Sequence, residues 1–268
     1  MNSIFSGYKI KMKKFLLDLK VVEKQVWHGK YVLLGFTHHD TLPPMFPGQF
    51  VEVRVDQAPN TFLRRPISVY NVDVEKNILW LYVQVVGEGT QTMYDYQIGD
   101  TVNMLLPLGN CFSKAKAGEK VALVGGGVGV APMLYYGIQL LKQGITPHFV
   151  LGARSSKDLV TLDHFKEVGE VYVTTEDASL GEKGYVIDHS FLQEGKGDID
   201  RIVTCGPDPM MRAVGQFAMA NDIFCEASLE NHMACGFGVC LCCVTPTTDG
   251  HKCVCTDGPV FNVKDLDW

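Results

Sequence analysis

Six of the nine cysteines in this chain crowd into one short segment near its C-terminus. Three of them, Cys235, Cys240 and Cys243, have the C-x4-C-x2-C spacing that plant-type iron–sulfur proteins use for three of the four thiolates of a [2Fe–2S] cluster. Gly236 and Gly238 allow the backbone to take positive φ and to bring N–H groups close to sulfur. The spacing therefore predicts an iron–sulfur cluster in this segment.

The same segment holds more thiols than a cluster needs. Cys242 competes with Cys243, and Cys253 competes with Cys255 for the fourth position, which the spacing leaves open. The competing interpretation is a structural zinc site in a non-catalytic binding module. Structural zinc usually requires two short paired knuckles, and the only Cys-x-x-Cys here begins at Cys240, so the cluster is favoured.

A glycine-rich run is the second feature with chemical meaning. Gly125, Gly126, Gly127 and Gly129 lie between a short apolar run and a predicted helix over residues 132–141. In a strand–loop–helix context, glycine permits close backbone approach and the helix N-terminus offers free N–H donors to a pyrophosphate. The run does not match the strict G-x-G-x-x-G fingerprint, but its context predicts a nucleotide site.

Two further features suit phosphate groups. The stretch Arg64-Arg65-Pro66-Ile67-Ser68 places guanidinium groups and a hydroxyl together on a predicted strand. The turn Gly87-Glu88-Gly89-Thr90 opens a short helix predicted near residues 91–96 and offers a backbone anion site. Together they predict a second nucleotide site, separate in sequence from the glycine run.

The elements that must position these residues fall into two patterns. Between about residues 15 and 108, runs of β-branched and aromatic residues alternate with turns, as in residues 31–36, 50–55 and 78–86. This pattern predicts an antiparallel β-barrel. Further along, apolar runs at residues 121–124, 147–152, 170–174 and 201–205 alternate with helical segments, which predicts a doubly wound parallel sheet.

The second pattern is predicted to stop near Phe224. A helix is expected after residue 205, with Asp208 as its N-cap and Pro209 at its first position. These patterns predict three units: a barrel domain over residues 1–112, an α/β domain over residues 113–223 and a small iron–sulfur segment over residues 224–268.

Composition excludes several classes of protein. The 268 residues are 46% apolar and 20% charged, which excludes intrinsic disorder. A net charge of -6 argues against a nucleic-acid partner. The N-terminus lacks the apolar region of a secretory signal, and the uncharged stretch 121–141 contains glycines and Pro132 typical of a buried strand, loop and helix. A cytoplasmic protein without a membrane partner is expected.

The motifs taken together resemble a known family. The Arg-x-x-Ser strand, the GGGxGxAP loop and the run Cys-Gly-Pro-Asp-Pro-Met-Met at residues 205–211 resemble the ferredoxin-reductase-like flavoproteins. The C-terminal runs at residues 229–240 and 255–261 look more narrowly like the electron-transfer subunit of class 1B dihydroorotate dehydrogenase. The resemblance covers about residues 12–261 and leaves residues 1–11 outside it.

The resemblance implies cofactors and the residues that hold them. It implies FAD on Arg65, Pro66, Ile67, Ser68, Tyr82, Val83, Gln84, Gly89 and Thr90, and a nicotinamide nucleotide on Gly125, Gly126, Gly127, Gly129, Cys205 and Gly206. It implies a cluster on Cys235, Cys240, Cys243 and Cys255, with Cys242 and Cys253 as extra thiols. Gln84 stands where relatives often carry arginine, and the basic stretch at Arg154 weakens the implied preference for NAD over NADP.

A chain with both a flavin and a cluster converts between hydride transfer and one-electron transfer, and no acid–base catalytic residue is predicted. The resemblance implies that electrons pass from an FMN-containing dihydroorotate-oxidising subunit through [2Fe–2S] and FAD to NAD+, in pyrimidine biosynthesis. The catalytic subunit needs a barrel of about 250 residues, for which this chain has no room. A heterotetramer of two plus two chains is expected.

The alternative enzyme is an NAD(P)H-dependent ferredoxin reductase or a sulfhydrogenase-type subunit with another partner. Cys235 counts against one branch of those relatives, in which aspartate can replace the first cluster ligand.

Overall fold

The computed structural model describes residues 13–56 and 58–268, so residues 1–11, which the resemblance leaves out, lie outside the described part. The strands are β1 (Phe15–Trp27), β2 (Tyr31–Thr37), β3 (Phe50–Val53), β4 (Arg65–Asp73), β5 (Ile78–Gln84), β6 (Thr101–Leu108), β7 (Val121–Gly126), β8 (Pro147–Ala153), β9 (Glu170–Thr175), β10 (Glu182–Lys183), β11 (Arg201–Cys205), β12 (Phe224–Ser228), β13 (Val244–Thr247), β14 (Gly250–Cys253) and β15 (Val260–Asn262). The α-helices are α1 (Glu88–Asp95), α2 (Ala131–Leu141), α3 (Leu162–Lys166), α4 (Ser190–Gly195) and α5 (Asp208–Ala220).

The first six strands form a closed antiparallel barrel in the order β1-β2-β5-β4-β3-β6, which confirms the predicted barrel. Strand β3 shows how side chains divide between its two faces. Val51 and Val53 pack in the barrel core, whereas Phe50 packs with the core of the neighbouring sheet. Because side chains alternate along a strand, Glu52 lies on the same outer face as Phe50.

The second sheet has seven strands in the order β10-β9-β8-β7-β11-β12-β15, and all neighbours are parallel except β12 and β15. The chain leaves β7 toward β8 on one side and later returns to β11 on the other, so the carboxyl ends of β7 and β11 form the switch point where open α/β sheets bind ligands. The parallel α/β arrangement predicted from the apolar runs is confirmed.

Two local details differ from the sequence prediction. Helix α5 begins at Asp208 with Pro207 in the N-cap position, one residue earlier than expected, so Asp208 lies in the first turn and does not cap the helix. Strand β12 begins at Phe224, where the alternating pattern was expected to stop, and pairs in parallel with β11. The sheet therefore continues into the residues that precede the cysteine loop.

The C-terminal segment packs against the barrel. The Asn110 side-chain amide donates to the carbonyl oxygens of Asp257 and Thr256 at 2.7 and 3.2 Å. A Cβ atom added at Gly109 would lie 2.3 Å from Pro259, so the contact requires glycine. The cysteine loop is thus held beside strand β6. No helix among the described residues has both the length and the apolar character needed to cross a membrane.

Candidate functional site

Backbone N–H groups surround the sulfur atoms of the cysteine loop. The N–H groups of Val239 and Cys240 point to the Cys235 Sγ atom at 3.3 and 3.5 Å, and Cys242 N–H points to Cys240 Sγ at 3.5 Å. Gly236 and Gly238 have φ of 72° and 87°, as the loop was predicted to need. Thiolate sulfur bound to iron accepts such hydrogen bonds, so the donor set fits an iron–sulfur cluster.

The other side of the loop brings Cys243 and Cys255 together in the protein interior. Both thiols are buried, and Cys255 N–H donates to Cys243 Sγ at 3.4 Å. The Gly238 backbone hydrogen bonds with the Cys255 thiol, which links this pair to the Cys235 side of the loop. All four cysteines of the implied ligand set therefore belong to one connected group.

The two extra thiols differ from that group. Cys242 is exposed, and Cys253 lies in strand β14 opposite Val244. Burial raises the pKa of the Cys253 thiol. In Cys235, by contrast, N–H donors from Cys240, Phe237 and Val239 outweigh the effect of burial and hold the thiol pKa below its usual value. Burial also raises the pKa of the proposed ligand Cys255, to about 12, so thiol pKa does not separate the implied ligands from the extra thiols.

The two neighbouring arginines of the barrel have different surroundings. Arg64 donates to the carbonyl oxygens of Glu52 and Asn103 at 3.3 and 3.1 Å and also to the Asn103 side chain. Arg65 donates to the Leu63 carbonyl at 3.1 Å, but its buried Nε atom has no partner among the described residues. Arg64 thus has a structural role, and Arg65 carries a donor that is free to bind a ligand.

Arg65 lies against the start of helix α1. A Cβ atom added at Gly89 would lie 3.3 Å from Arg65 Nε and 3.1 Å from Thr61, so glycine is what lets the guanidinium approach the helix N-terminus. The Thr90 hydroxyl accepts hydrogen bonds from the N–H groups of Val86 and Gly87 and orders the turn. A guanidinium beside a helix N-terminus fits a pyrophosphate.

A cleft between the barrel and the α/β sheet collects most of the residues predicted for the flavin site. Its barrel wall contains Pro66, Ile67, Ser68, Tyr82, Val83, Gln84 and Thr90. Its opposite wall contains Gly129 and Cys205 from the predicted nicotinamide site. The side chains of β4 and β5 therefore face the switch point of the parallel sheet. The remaining predicted site residues do not line this cleft: Arg65, Gly89, Gly125, Gly126, Gly127 and Gly206.

The glycines of the second nucleotide signal also have packing roles. A Cβ atom at Gly129 would lie 2.5 Å from Gly206, and one at Gly126 would lie 2.4 Å from Met210. Gly125 and Gly126 end strand β7, and Gly127 has open space around it at φ 57°. These glycines let the β7–α2 turn sit directly against the β11–α5 turn, which brings Cys205 and Gly129 to the same cleft wall.

Several cleft residues were not predicted as site residues from the sequence. Ser228, Leu229, Glu230 and Met233 line the cleft between strand β12 and the cysteine loop. Burial raises the pKa of Glu230, while His232 lowers it. The only sequence signal for Glu230 was its place directly before the cysteine motif, so its position in the cleft required the tertiary structure.

Glu52 is a further residue that was not predicted from the sequence. It is completely buried on the outer face of the barrel, and neither carboxylate oxygen has a hydrogen-bond partner among the described residues. Burial raises its pKa to about 7, although Arg64 and Arg65 act to lower it. A Cβ atom at Gly236 would lie 2.9 Å from Glu52 Cγ, so the cysteine loop rests on this side chain.

The loop after strand β8 contacts the barrel. Asp158 accepts hydrogen bonds from Lys30 Nζ at 2.6 Å and from the Tyr31 hydroxyl at 2.7 Å. On the other side of the same loop, the N–H groups of Glu176 and Asp177 donate to the carbonyl oxygens of residues 153 and 154 at 3.2 Å each. Two acidic residues after β9 therefore lie beside Arg154, which the sequence did not reveal.

Comparison with known proteins gives consistent matches. Residues 230–267 match the iron–sulfur cluster binding domain of dihydroorotate dehydrogenase B, and residues 123–216 match the oxidoreductase NAD-binding domain. The chain is 39% identical to the dihydroorotate dehydrogenase B (NAD(+)) electron transfer subunit of Shouchella clausii over 82% of this chain and 86% of that protein. It is 37% identical to the subunit of the same name from Caldanaerobacter subterraneus subsp. tengcongensis, over 96% of this chain and 98% of that protein.

A solved structure shows the same architecture. The structure described as NADH-dependent reduced ferredoxin-NADP oxidoreductase, studied for flavin-based electron bifurcation, superposes with a TM-score of 0.80 at 28% sequence identity. The superposition covers 93% of this chain and 90% of that one.

Proposed function

Because this chain belongs to the family of the dihydroorotate dehydrogenase B electron transfer subunits, we propose that its cleft holds FAD and NAD and that its cysteine loop holds the [2Fe–2S] cluster. The chain is an oxidoreductase subunit that carries electrons from a dihydroorotate-oxidising partner to NAD+ in pyrimidine biosynthesis. The observation that carries the site assignment is that the proposed flavin and nicotinamide walls line one cleft, which Glu230 and Met233, directly before the cysteine loop, also line.

The residues present fit FAD. The unpartnered Nε atom of Arg65 and the N-terminus of α1 would bind the pyrophosphate, while Ser68 and Tyr82 would face the flavin. Bound FAD supplies the exchange between hydride transfer and single-electron transfer. Gly129 and Cys205 would hold the nicotinamide side of the cleft, and Glu230 would exclude bulk water from it.

The cluster would be held by Cys235, Cys240, Cys243 and Cys255. Backbone donors to their sulfur atoms support this set, and Cys242 and Cys253 are proposed to remain free. The proposed units are residues 1–112 for FAD, 113–223 for NAD and 224–268 for the cluster. Strands β12 and β15 of the last unit pair with each other. Strand β12 also pairs with β11 and so joins the last unit to the α/β sheet.

We further propose that the partner is an FMN-containing catalytic subunit in a complex of two plus two chains. Two-fold closure is the commonest symmetry of such assemblies. The cytoplasm is the proposed location, because none of the nine cysteines is paired in a disulfide, as is usual in a reducing compartment.

Reconstitution tests this function. The chain and a dihydroorotate dehydrogenase catalytic subunit are expected to co-elute and to reduce NAD+ when dihydroorotate is added, whereas neither protein alone does so. Reduction of NAD+ by dihydroorotate with the isolated chain, or failure of the mixture to couple the two reactions, contradicts the proposal.

A ferredoxin reductase is the second candidate, since the superposed structure is an oxidoreductase of that kind. The same reconstitution separates the two functions. If reduced ferredoxin supports NAD+ reduction and the catalytic subunit does not, the second candidate replaces the first.

The structure predicts a preference for NADH over NADPH. Backbone hydrogen bonds place Glu176 and Asp177 next to residues 153 and 154 at the carboxyl ends of β8 and β9, and we propose that their negative charges disfavour a 2′-phosphate there. We expect steady-state diaphorase kcat/KM with NADH to exceed that with NADPH by about tenfold or more. We also expect Arg154→Ala to leave the NADH value nearly unchanged, and a large NADPH advantage would contradict the assignment.

The exposed apolar side chains of the cysteine loop are the proposed contact with the partner. Phe237, Val239 and Leu241 are 45%, 73% and 62% exposed, although they are apolar. We expect Val239→Asp to abolish co-elution with the catalytic subunit while iron content stays at the wild-type level. Val74→Asp is the matched control, because Val74 is 74% exposed in the β4–β5 turn. Equal loss of co-elution in both variants would contradict this surface.

A further inference from the structure

We propose that Glu52 lowers the reduction potential of the iron–sulfur cluster through its negative charge, and so sets how readily the cluster accepts an electron. The inference rests on the proposed cluster site and extends it to a residue outside the cysteine loop. Glu52 contacts neither the proposed ligands through a hydrogen bond nor the solvent, so it acts at a distance and is not a catalytic residue.

The position of Glu52 brings it next to the backbone that holds the proposed cluster ligands. In the barrel register, Glu52 pairs with Pro66, while Phe50, two residues earlier on the same face, pairs with Ser68. Phe50, Pro66 and Ser68 all line the cleft proposed for FAD. On its other side, Glu52 packs under the backbone of Gly236, which follows the first proposed cluster ligand. Glu52 therefore lies against the proposed cluster loop, on a strand whose neighbouring residues line the proposed FAD cleft.

The burial of Glu52 makes its charge effective. The side chain is 0% exposed, and both oxygen atoms lack a hydrogen-bond partner among the described residues. Bulk solvent, which would otherwise screen the charge, is thus kept away from it, and no hydrogen bond from the described residues offsets it. The nearest cations belong to Arg64 and Arg65, and the Arg64 guanidinium donates to backbone and Asn103 oxygens, without a bond to this carboxylate.

The expected direction follows from electrostatics. Reduction of the cluster adds one electron, so the cluster becomes one unit more negative without any change in its ligands. While the Glu52 carboxyl is ionised, its negative charge disfavours that product relative to the oxidised cluster. Removing the charge should therefore make the midpoint potential more positive.

The test is an anaerobic reductive titration of the purified chain, followed by the electron paramagnetic resonance signal of the reduced cluster at pH 8.5. Glu52→Gln preserves size and removes charge, Glu52→Met is a second neutral variant, and Glu52→Asp retains the charge. Glu75→Gln is the control, because Glu75 is an exposed carboxylate in the β4–β5 turn. This turn follows the C-terminal end of β4, whereas Arg65 begins the strand.

For the neutral variants we expect a positive shift that increases the equilibrium constant for cluster reduction about tenfold, which is about 59 mV for one electron. Glu52→Asp and Glu75→Gln should stay close to wild type. An unchanged potential in a neutral variant that retains the cluster overturns the proposal. So does loss of the cluster from both neutral variants but not from Glu52→Asp, which would show that Glu52 only supports the loop.

Failure of the underlying site assignment gives a different result. If the wild-type chain, loaded with iron and sulfide, shows no [2Fe–2S] signal, the cluster site itself is wrong and the inference falls with it. If wild type shows the signal and only the potentials are insensitive to Glu52, the cluster assignment stands and the role of Glu52 alone is refuted.

Discussion

Cys243→Ser is expected to remove the iron–sulfur cluster, while Cys242→Ser leaves it in place. Cys243 is buried and accepts a hydrogen bond from Cys255 N–H at 3.4 Å, so its sulfur lies where the interior half of the ligand set must be. Iron–sulfur clusters prefer cysteine thiolate as a ligand, and a serine oxygen replaces it poorly. Cys242 is exposed, and its loss removes no contact from the buried pair.

Iron and acid-labile sulfide per chain, together with the visible absorbance of the cluster, measure this outcome. We expect the iron and sulfide contents to fall to background in Cys243→Ser, with the FAD content unchanged. In Cys242→Ser, both contents should stay at the wild-type level. A second pair, Cys255→Ser and Cys253→Ser, examines the fourth position in the same way. An intact cluster in Cys243→Ser, or its loss in Cys242→Ser, would overturn the proposed ligand set.

The second large effect is expected for FAD. Arg65→Gln removes a guanidinium whose buried Nε atom has no partner among the described residues and lies at the N-terminus of α1. Charge-assisted hydrogen bonds to a phosphate contribute about 1.5–3 kcal/mol, so FAD should bind between about 10-fold and 100-fold more weakly. The thermal stability of the FAD-free protein should change little, because Arg65 makes one hydrogen bond there, to an exposed carbonyl.

Arg64→Gln is the matched control. Arg64 is adjacent to Arg65 in sequence, but its guanidinium donates to the backbone oxygen of Glu52 and to the backbone and side-chain oxygens of Asn103. We expect this variant to lower the melting temperature of the FAD-free chain and to leave the FAD dissociation constant within about threefold of wild type. Fluorescence titration of the apoprotein with FAD and thermal unfolding measure the two effects. A reversed pattern, with FAD affinity dependent on Arg64, would contradict the assignment.

Much of the architecture was predictable because it depends on local patterns. Alternation along residues 50–53 separates the barrel-core side chains Val51 and Val53 from those of the other face, although all four residues are buried. The apolar runs before glycine turns identify the parallel strands. The strand–helix pattern was expected to stop near Phe224, but strand β12 begins there. Polar residues occur within this strand and lead on into the cysteine loop. Its membership in the sheet depends on pairing with β11, which is distant in sequence.

The cysteine spacing by itself favoured an iron–sulfur cluster over zinc, because the separations of Cys235, Cys240 and Cys243 along the chain are those of plant-type iron–sulfur proteins. The same reasoning extends to the glycine run, whose neighbours define a strand and a helix. It does not extend to the choice between adjacent residues of one type. Arg64 and Arg65, or Cys242 and Cys243, are equivalent in composition and differ only in the direction of their side chains.

Only the tertiary structure decided those directions and the contacts between distant segments. Strand register puts Glu52 on the outer face of the barrel, and packing places Gly236 upon it, although 183 residues lie between the two positions. The acidic pair beside Arg154 likewise results from the pairing of β8 with β9. The physical reason is that periodicity reports which face of an element is buried, whereas the partner that buries it is selected by packing across the whole chain.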